Sequence, residues 1–284
     1  MKRLTILTVV TIGILVNFAV AGIAQVQCRA FLGFTAATGA NSEHNDILNW
    51  SVAGTPINYP DFSSTNGLNL VGNAAQSGTT VRLTPDALSQ VGAMWSTTPV
   101  PILNGFDTTF QFNILGGTAG LADGIAFHVQ NSPSGDTAIG TAGGGIGMQG
   151  ISHDLAVEFD TFFNASLNDP SVPHISVMTR GLLPNSADHD IASLGNATVV
   201  SLTGTHTARI VYVPGTLKVF FDGSATPTLE VGVNLAVIGG PGCEGVAPAM
   251  SAFGLGALAL LLLVGAVWVL RRRRRASPLV LLEL

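Results

Sequence analysis

The amino-acid sequence predicts an all-β domain, built as an antiparallel sandwich or a jelly roll. Many short strand-like segments are separated by turns rich in Gly, Asn and Ser, which is the pattern of these folds. The only helical candidate within the domain is a single turn at residues 84–90. Strand-like segments carry β-branched or aromatic residues with a period near two, and this periodicity favours strands over helices.

Six segments are the candidate strands. In chain order they are DTTFQFNI (107–114), GIAFHVQ (124–130), LAVEFDTF (155–162), HISVMT (174–179), TARIVYV (207–213) and TLKVFFDG (216–223). Pro214-Gly215 lies between the last two and predicts a hairpin turn. The connections are too short for linkers, so we expect one domain from about residue 28 to residue 243.

The N-terminal end predicts a secretory signal peptide at residues 1–24. It has a basic start, an apolar run and small residues at Ala19, Ala21 and Ala24. We therefore expect the protein to be exported.

The C-terminal end predicts a membrane segment. Residues 249–270 carry no charge, are long enough to span a bilayer and precede five arginines at 271–275. The positive-inside rule then places residues 271–284 in the cytoplasm and residues 25–247 outside. Residues 244–248 are the expected spacer.

The exported segment between these ends is acidic. It retains five basic residues against sixteen acidic ones, a formal net charge of −11. Such a surface repels phosphate backbones. Nucleic acid is therefore not expected as a partner, whereas cations and neutral polymers such as glycans remain open.

Cys28 and Cys243 are the two cysteines, one near each end of the exported segment. An oxidising compartment permits a disulfide between them, and two free thiols are the alternative. A lipid-modified Cys28 is disfavoured, because the preceding residues AQVQ lack the small and apolar residues that such a site needs.

Oxygen and imidazole ligands are concentrated in VEFDTFFNASLNDPSVPH, residues 157–174. Glu158 and Asp160 are two residues apart on a strand, so both side chains point to one face, and Asp169 and His174 can return to that face. Like charges on one face need compensation. The pattern therefore predicts a metal site: Ca²⁺ takes several oxygen ligands, and Mn²⁺ accepts carboxylates with an imidazole.

This segment resembles the metal-binding segment of the legume-type (L-type) lectins, whose fold is a concanavalin-like jelly-roll β-sandwich. The resemblance implies that a transition ion such as Mn²⁺ is held by Glu158, Asp160, Asp169 and His174. It implies that Ca²⁺ is held by Asp160, the Phe162 carbonyl, Asn164 and Asp169. The family also uses a serine that holds a water beyond the histidine strand, and MTRGLLPNS (178–186) departs from that pattern.

LADGIAFHV (121–129) and AGGGIGMQG (142–150) are similar to two further segments of these lectins. The resemblance implies that Asp123 follows a cis peptide and accepts hydrogen bonds from sugar hydroxyls, and that Gly144 donates a backbone N–H. Asn164 would serve both Ca²⁺ and the sugar, and the Phe162 ring would stack on a pyranose. We expect monosaccharide affinity of roughly micromolar to millimolar order, with avidity from multivalency, as in a homo-oligomer.

LGFTAATGANSEHNDILNWSV (32–52) resembles the segment that ends most of these lectins, including the loop that sets sugar preference. Here it comes first, and INYPDFSSTNGLNLVGNA (57–74), which resembles their first strand, follows it. This order implies a circular permutation, with Cys28 and Cys243 paired at the new ends.

The resemblance also implies that the sugar-preference loop is residues 39–43. The Ala40 backbone and the Asn41 side chain would lie nearest the ligand, and their small size suggests an open, shallow site.

Two other functions compete with non-catalytic glycan binding. A sandwich-fold glycoside hydrolase also places carboxylates on one strand, but Phe163 stands where a Glu-x-Asp-x-x-Glu pattern needs an acid, and no Ser/His/Asp or Cys/His arrangement stands out. An adhesion module without sugar binding is disfavoured by the presence of Asp123, Gly144 and Asn164. The G-x-G-x-x-G at 145–150 lacks the βαβ context of a dinucleotide site.

The C-terminal end also resembles the tripartite sorting signals of bacteria, with APAMSAFG (247–254) in the motif position. We therefore expect a bacterial lectin of the cell envelope or cell surface, either anchored in the membrane or processed by a sorting protease.

The remaining tryptophans and histidines are expected to be structural. Trp50 and Trp95 lie in apolar, strand-like surroundings and are predicted core residues. The histidines without ligand spacing are predicted to be core or solvated; they are His44, His128, His153, His189 and His206.

Overall fold

The computed structural model describes residues 28–117, 120–239 and 243, and in these residues sixteen strands form two antiparallel sheets. The strands are β1 (Arg29–Ala37), β2 (His44–Val52), β3 (Asn58–Tyr59), β4 (Leu68–Gly72), β5 (Ala75–Ser77), β6 (Thr80–Thr84), β7 (Val91–Ser96), β8 (Val100–Pro101), β9 (Phe106–Leu115), β10 (Gly124–Gln130), β11 (Asp154–Asp160), β12 (His174–Thr179), β13 (Ser193–Thr198), β14 (Gly204–Val213), β15 (Gly215–Phe221) and β16 (Leu229–Val233). A single α-helical turn, α1 (His189–Ala192), and 3₁₀ turns at Gly135–Thr137, Gly143–Gly145, Ala165–Leu167 and Leu235–Ile238 complete the described elements.

The first two strands of the chain occupy central positions, one in each sheet. The first sheet has the order β13-β12-β11-β10-β1-β7-β4, with β8 also paired to β1. The second has the order β16-β15-β14-β9-β2-β6-β5, with β3 also paired to β2. The β1–β2 connection therefore joins the middle of one sheet to the middle of the other.

The main core lies between the two sheets and is rich in aromatic residues. Buried and less buried residues alternate along β9, because every second side chain of a strand faces the opposite sheet. The ring of Phe34 on β1 lies 4.7 Å from that of Phe110 on β9 and 5.5 Å from that of Phe127 on β10, both edge-on. Edge-on contacts of this kind add to the burial energy of aromatic side chains.

The outer face of the first sheet is also covered. Every residue of β10 and β11 is buried, because the segment 131–153 crosses this face and packs Ile146 and Met148 against Ala126 and Ala156. Polar side chains that point outward from these two strands are therefore enclosed beneath loops. Such enclosed polar groups must be satisfied by partners or by a ligand.

The structure confirms the predicted sandwich, the six sequence-derived strands and the hairpin at Pro214-Gly215. The helical turn predicted at residues 84–90 is wrong. The backbone of this segment forms hydrogen bonds with the β1–β2 connection instead. The Ala87 carbonyl accepts from Thr38 Oγ1 (2.6 Å), and the Ser89 N–H donates to the Gly39 carbonyl (3.0 Å).

Among the described residues, no helix combines the length and the apolar character needed to cross a bilayer. Four predicted segments lie outside these residues: the signal peptide (1–24), the spacer (244–248), the membrane helix (249–270) and the arginine-rich tail (271–284).

Candidate functional site

Glu158 and Asp160 share the outer face of β11, where the neighbouring strand β12 adds His174. The antiparallel register pairs Asp160 with His174 and Glu158 with Ser176. Side chains of directly paired residues lie on the same face. All three ligand-type residues are buried: Glu158 is 1% exposed, Asp160 3% and His174 0%.

The loop between β11 and β12 brings Asp169 back to this face. The Phe162 N–H donates to Asp160 Oδ1 (2.7 Å), and the Asn164 N–H donates to Asp169 Oδ2 (2.5 Å). The Asn164 amide also donates to the Phe162 carbonyl (3.3 Å). These bonds fold residues 160–169 into a compact turn that gathers both aspartates.

An additional imidazole joins this group from α1. His189 Nε2 lies 3.0 Å from Glu158 Oε1 and 3.8 Å from Asp169 Oδ1. His174 Nε2 lies 3.4 Å from Glu158 Oε1 and 3.3 Å from His189 Nε2. Donor atoms of Glu158, His174 and His189 therefore lie within 4.8 Å of one another, close enough to share a metal ion.

The electrostatics of this group favour a bound cation. Burial raises the pKa of Asp160 well above its ordinary value, and the negative charge of Glu158 adds to the effect. Burial likewise raises the pKa of Asp169. A cation would relieve the repulsion between the carboxylates, as metal ions do in protein sites.

The contact between Glu158 and His189 lowers the pKa of Glu158 and raises the pKa of His189. Burial opposes ionisation of Glu158, but contacts with His174 and His189 outweigh it and lower the pKa of Glu158. Burial also opposes protonation of His189, but Glu158 outweighs it and raises the pKa of His189. In the described part of the chain, Glu158 Oε1 is buried without a well-aligned hydrogen-bond donor, so it can still act as a ligand.

Asp123 lies beside the cluster of Glu158, Asp160, Asp169 and His174, next to the glycine loop of Gly39. The Ala122–Asp123 peptide bond is cis, as the resemblance implied. The Asp123 N–H donates to the Ala37 carbonyl (3.0 Å), and the Asp123 carbonyl accepts from the Thr161 N–H (3.1 Å). This pairing connects the end of β1 to the loop between β11 and β12.

The Asp123 carboxyl faces two glycine loops. It is 3% exposed, its Oδ2 has no hydrogen-bond partner among the described residues, and burial raises its pKa to about 6. A Cβ on Gly39 would lie 3.0 Å from this Oδ2 and 3.1 Å from the Gly143 Cα. A Cβ on Gly144 would lie 2.8 Å from Asn164 Nδ2. Glycine is required here because the loops approach these polar atoms so closely.

The remaining predicted residues lie in the β1–β2 connection and in the loop between β11 and β12. Ala40 and Asn41 lie in the β1–β2 connection, where the Gly39 N–H donates to the Asn41 carbonyl (3.2 Å). Phe162 and Phe163 are 36% and 50% exposed. Exposed aromatic rings suit a ligand with an apolar surface, and Asp123 Oδ2, which has no hydrogen-bond partner in the described residues, suits one with hydroxyl groups.

The loop that carries Gly144 is attached to the sheet by a buried polar chain. His128 bridges Thr35 Oγ1 and Asp154 Oδ1 at 2.9 Å each, and Thr35 Oγ1 donates to the Ile146 carbonyl (2.6 Å). Asn185 Nδ2 donates to Asp154 Oδ2 (2.8 Å). This Thr-His-Asp order resembles a nucleophile triad, but Thr35, His128 and Asp154 are all 0% exposed, which denies them a substrate.

The comparison with known protein families agrees with this geometry. The family model described as the legume lectin beta-barrel domain matches residues 57–232. The chain belongs to the legume-type lectin family. The match begins after β1 and β2, so the two central strands of this lectin precede the matched region.

Curated relatives include plant lectins. One is a lectin of Leucomphalos mildbraedii, 34% identical over 91 residues, which are 29% of this chain and 37% of that protein. Another is a probable inactive L-type lectin-domain containing receptor kinase III.1 of Arabidopsis thaliana, 28% identical over 136 residues, which are 43% of this chain and 21% of that protein. The chain thus spans well under two thirds of either relative.

Solved lectin structures share the fold. Peanut lectin, solved with a nine-residue peptide, is 26% identical with a TM-score of 0.51, over 66% of this chain and 82% of that one. The lectin of Bauhinia forficata, solved in complex with GalNAc, is 24% identical with a TM-score of 0.53, over 70% of this chain and 86% of that one. The two-sheet sandwich is therefore that of a legume lectin.

The lectin fold brings together most of the residues singled out from the sequence. Glu158, Asp160, Asp169 and His174 meet at one end of β11, and Asp123 adjoins them. Gly144 and Asn164 are in close approach, and Gly39 brings the loop with Ala40 and Asn41 to Asp123. Their roles as ligands of metal and sugar stay predictions.

The side chain of His189, for which the sequence predicted a core or solvated position, is buried in this lectin against Glu158 and His174. Its ring is part of the cluster because α1 packs beside the loop between β11 and β12, where Asn168 Nδ2 donates to Asp188 Oδ1 (2.9 Å). Fifteen residues separate His189 from His174, so no short spacing links them. The one local signal was Asp188, an N-cap residue directly before the histidine.

Other sequence predictions are confirmed. Trp50 and Trp95 are core residues, 1% and 0% exposed, and His128 is a core residue. Cys28 and Cys243 form a disulfide, with Cα atoms 5.1 Å apart.

Proposed function

We propose that this lectin domain binds glycans without catalysis, in a recess whose loops are held by bound Ca²⁺ and a neighbouring transition ion. The carrying observation is the buried Asp123 Oδ2, which has no hydrogen-bond partner in the described part of the chain and faces the loops of Gly39 and Gly144. A buried acceptor without a partner destabilises the folded protein, and a ligand that supplies a donor removes this cost. Sugar hydroxyls are such donors.

Ca²⁺ is proposed to be held by Asp160, the Phe162 carbonyl, Asn164 and Asp169. This donor set is all oxygen, as Ca²⁺ requires. The fit is supported by the raised pKa values of Asp160 and Asp169, which arise first from burial and then from the charge of neighbouring carboxylates. The ion would supply positive charge and stiffen the loop that carries Phe162 and Asn164.

A transition ion such as Mn²⁺ is proposed beside it, with Glu158, Asp160, Asp169 and His174 as ligands. Support comes from Glu158 Oε1, a buried oxygen without an aligned donor, 3.4 Å from His174 Nε2. Carboxylates plus imidazole suit such an ion.

In the proposed sugar complex, each contact has a separate task. Asp123 accepts from sugar hydroxyls, the Gly144 N–H and the Asn164 amide donate, and the Phe162 ring stacks on the apolar face of a pyranose. Ala40 and Asn41 set the sugar preference. Because each contact is weak, clustering on a surface or a homo-oligomer would supply avidity.

We further propose that the chain is a circular permutant of the usual lectin order. Support comes from the start of the family match at residue 57, after the two central strands β1 and β2. The disulfide between Cys28 and Cys243 supports neighbouring new ends. Export and anchoring in, or sorting to, a bacterial envelope remain part of the proposal on the sequence grounds given above.

The first test is glycan-array binding of the full chain with Ca²⁺ and Mn²⁺, then with EDTA. We expect binding that chelator abolishes and that added Ca²⁺ restores. Asp123→Asn should lower affinity by about 10- to 100-fold, the loss of a hydrogen bond to a charged group.

Asp61→Asn is the matched control, because Asp61 is exposed and bonded only within its own loop to Ser63. It should leave binding unchanged. Binding that persists in EDTA, or absence of binding in every condition, would refute the proposed metal-dependent glycan binding. Release of reducing ends from a polysaccharide panel would instead favour a hydrolase.

A further inference from the structure

The metal cluster contains one more imidazole than the ligand set proposed above. His189 and His174 both direct Nε2 toward Glu158 Oε1, and the three atoms form a triangle with sides of 3.0, 3.3 and 3.4 Å. The side chains of Glu158, His174 and His189 are 1%, 0% and 6% exposed. The triangle is therefore enclosed.

The size of this triangle matches neighbouring ligands on one ion. With metal–nitrogen and metal–oxygen distances of about 2.0–2.2 Å, ligands at tetrahedral or octahedral angles lie roughly 2.8–3.6 Å apart. All three sides fall in that range. Glu158 Oε1 has no aligned hydrogen-bond donor in the described residues, so the arrangement leaves the oxygen free to coordinate.

Local structure holds His189 in this position. Asp188 caps α1 by accepting from the Asp190 N–H (3.0 Å), and its Oδ1 also accepts from Asn168 of the loop between β11 and β12 (2.9 Å). Ala187 and Ala192, which flank His189, are both 3% exposed and pack in the cluster that covers β10–β12. The imidazole is thus fixed from both sides.

We propose that His189 is a direct second imidazole ligand of the transition-ion site, and that it shifts the preference of this site from Mn²⁺ toward Zn²⁺. Imidazole suits Zn²⁺, whereas carboxylate and water suit Mn²⁺. His189 thus joins Glu158, Asp160, Asp169 and His174, and its Nε2 lies 3.8 Å from Asp169 Oδ1. The inference rests on the proposed function only in that the cluster holds an ion, and it needs no glycan binding.

The first experiment counts nitrogen ligands in the wild-type chain. One equivalent of Cu²⁺ serves as the probe, and the nitrogen superhyperfine splitting in its electron paramagnetic resonance spectrum is the readout. We expect two imidazole nitrogens in the wild type, one in His189→Asn, and two in the control His206→Gln. His206 lies on β14 of the other sheet and is bonded to Asp222.

The second experiment measures Zn²⁺ and Mn²⁺ affinity by calorimetry. His189→Asn should lower Zn²⁺ affinity by at least the 10- to 100-fold that follows loss of an outer-shell partner, and should lower Mn²⁺ affinity much less. His206→Gln should change neither.

Three results would overturn the inference: a single nitrogen in the wild-type spectrum, no binding of either ion by the wild type, or equal losses for both ions in His189→Asn. The number of nitrogen ligands in the wild-type spectrum tests the inference even if the His189→Asn variant does not fold. Because neither readout involves a sugar, a failure of glycan binding leaves this inference standing. A single nitrogen in the wild type, or equal losses for both ions, would overturn the inference without bearing on glycan binding.

Discussion

Glu43 lies at the end of the β1–β2 connection with its side chain fully buried. Its Oε2 accepts from Thr161 Oγ1 (3.0 Å), and burial raises its pKa to about 8 from an ordinary value of 4.5. The folded protein therefore binds this proton more tightly than the unfolded chain does. The resulting stability is complete below pH 4.5 and is lost as pH rises through about 8.

Glu43→Gln should remove this dependence on pH. Compared with the wild type, its free energy of unfolding should be similar at pH 5 and higher at pH 9, by up to about 5 kcal/mol at roughly 1.4 kcal/mol per pKa unit. Urea denaturation at the two pH values measures the difference. Glu230→Gln is the control, since Glu230 is an exposed partner of Lys218; the same gain in both variants would refute the assignment to Glu43.

Residue chemistry also explains which part of the metal cluster was predictable. The two-residue spacing of Glu158 and Asp160 on a strand puts both on one face whatever the rest of the chain does. His174 follows in the adjacent strand at the paired position. His189 reaches the cluster only through the packing of α1; its N-cap residue Asp188 marks the helical turn but not the place where that turn packs.

At the scale of elements, the segment that covers β10 and β11 sets the shape of the proposed recess. Its anchor is the chain of Thr35, His128 and Asp154, whose partners are all buried. Removing one member of such a chain would leave a buried group unsatisfied. The close approach of Gly144 to Asn164 therefore depends on a polar contact beneath the loop as well as on glycine itself.

Gly144→Ala should weaken glycan binding while the domain stays folded. The new Cβ would meet Asn164 Nδ2 at 2.8 Å and Leu167 Cδ1 at 2.9 Å, so the Asn164 amide must move away. Loss of about one net hydrogen bond predicts roughly a 2- to 10-fold fall in affinity. Binding to an immobilised glycan measures it.

Gly232→Ala on β16 is the control for this prediction. A Cβ there would meet only the Gly215 carbonyl, at 3.9 Å, so affinity should not change. Unchanged affinity in Gly144→Ala would show that Asn164 takes no part in sugar binding.

At the scale of the whole molecule, the disulfide joins residues that are 215 positions apart in sequence. It closes nearly the entire described chain into one loop, with the central strands β1 and β2 near one end of it. A link across so long a loop chiefly restricts the unfolded chain, by about 5 kcal/mol if loop entropy dominates.

Replacing Cys28 and Cys243 together by serine should lower the free energy of unfolding by up to about 5 kcal/mol. Urea denaturation with and without reductant measures this loss. Reductant should lower the stability of the wild type to that of the double variant and leave the variant unchanged. Equal stability of both proteins in the absence of reductant would contradict the prediction.

The sequence by itself determined the class of fold and the shared face of the first two proposed metal ligands. Strand periodicity and turn residues act over a few positions, so the β sandwich, its hairpin and the shared face of Glu158 and Asp160 follow from local rules. Only the tertiary structure decided which distant segments meet: His189 with Glu158, and Gly39 with Asp123. Those contacts depend on how loops pack on the outer face of the first sheet, and packing energy depends on the whole chain rather than on spacing.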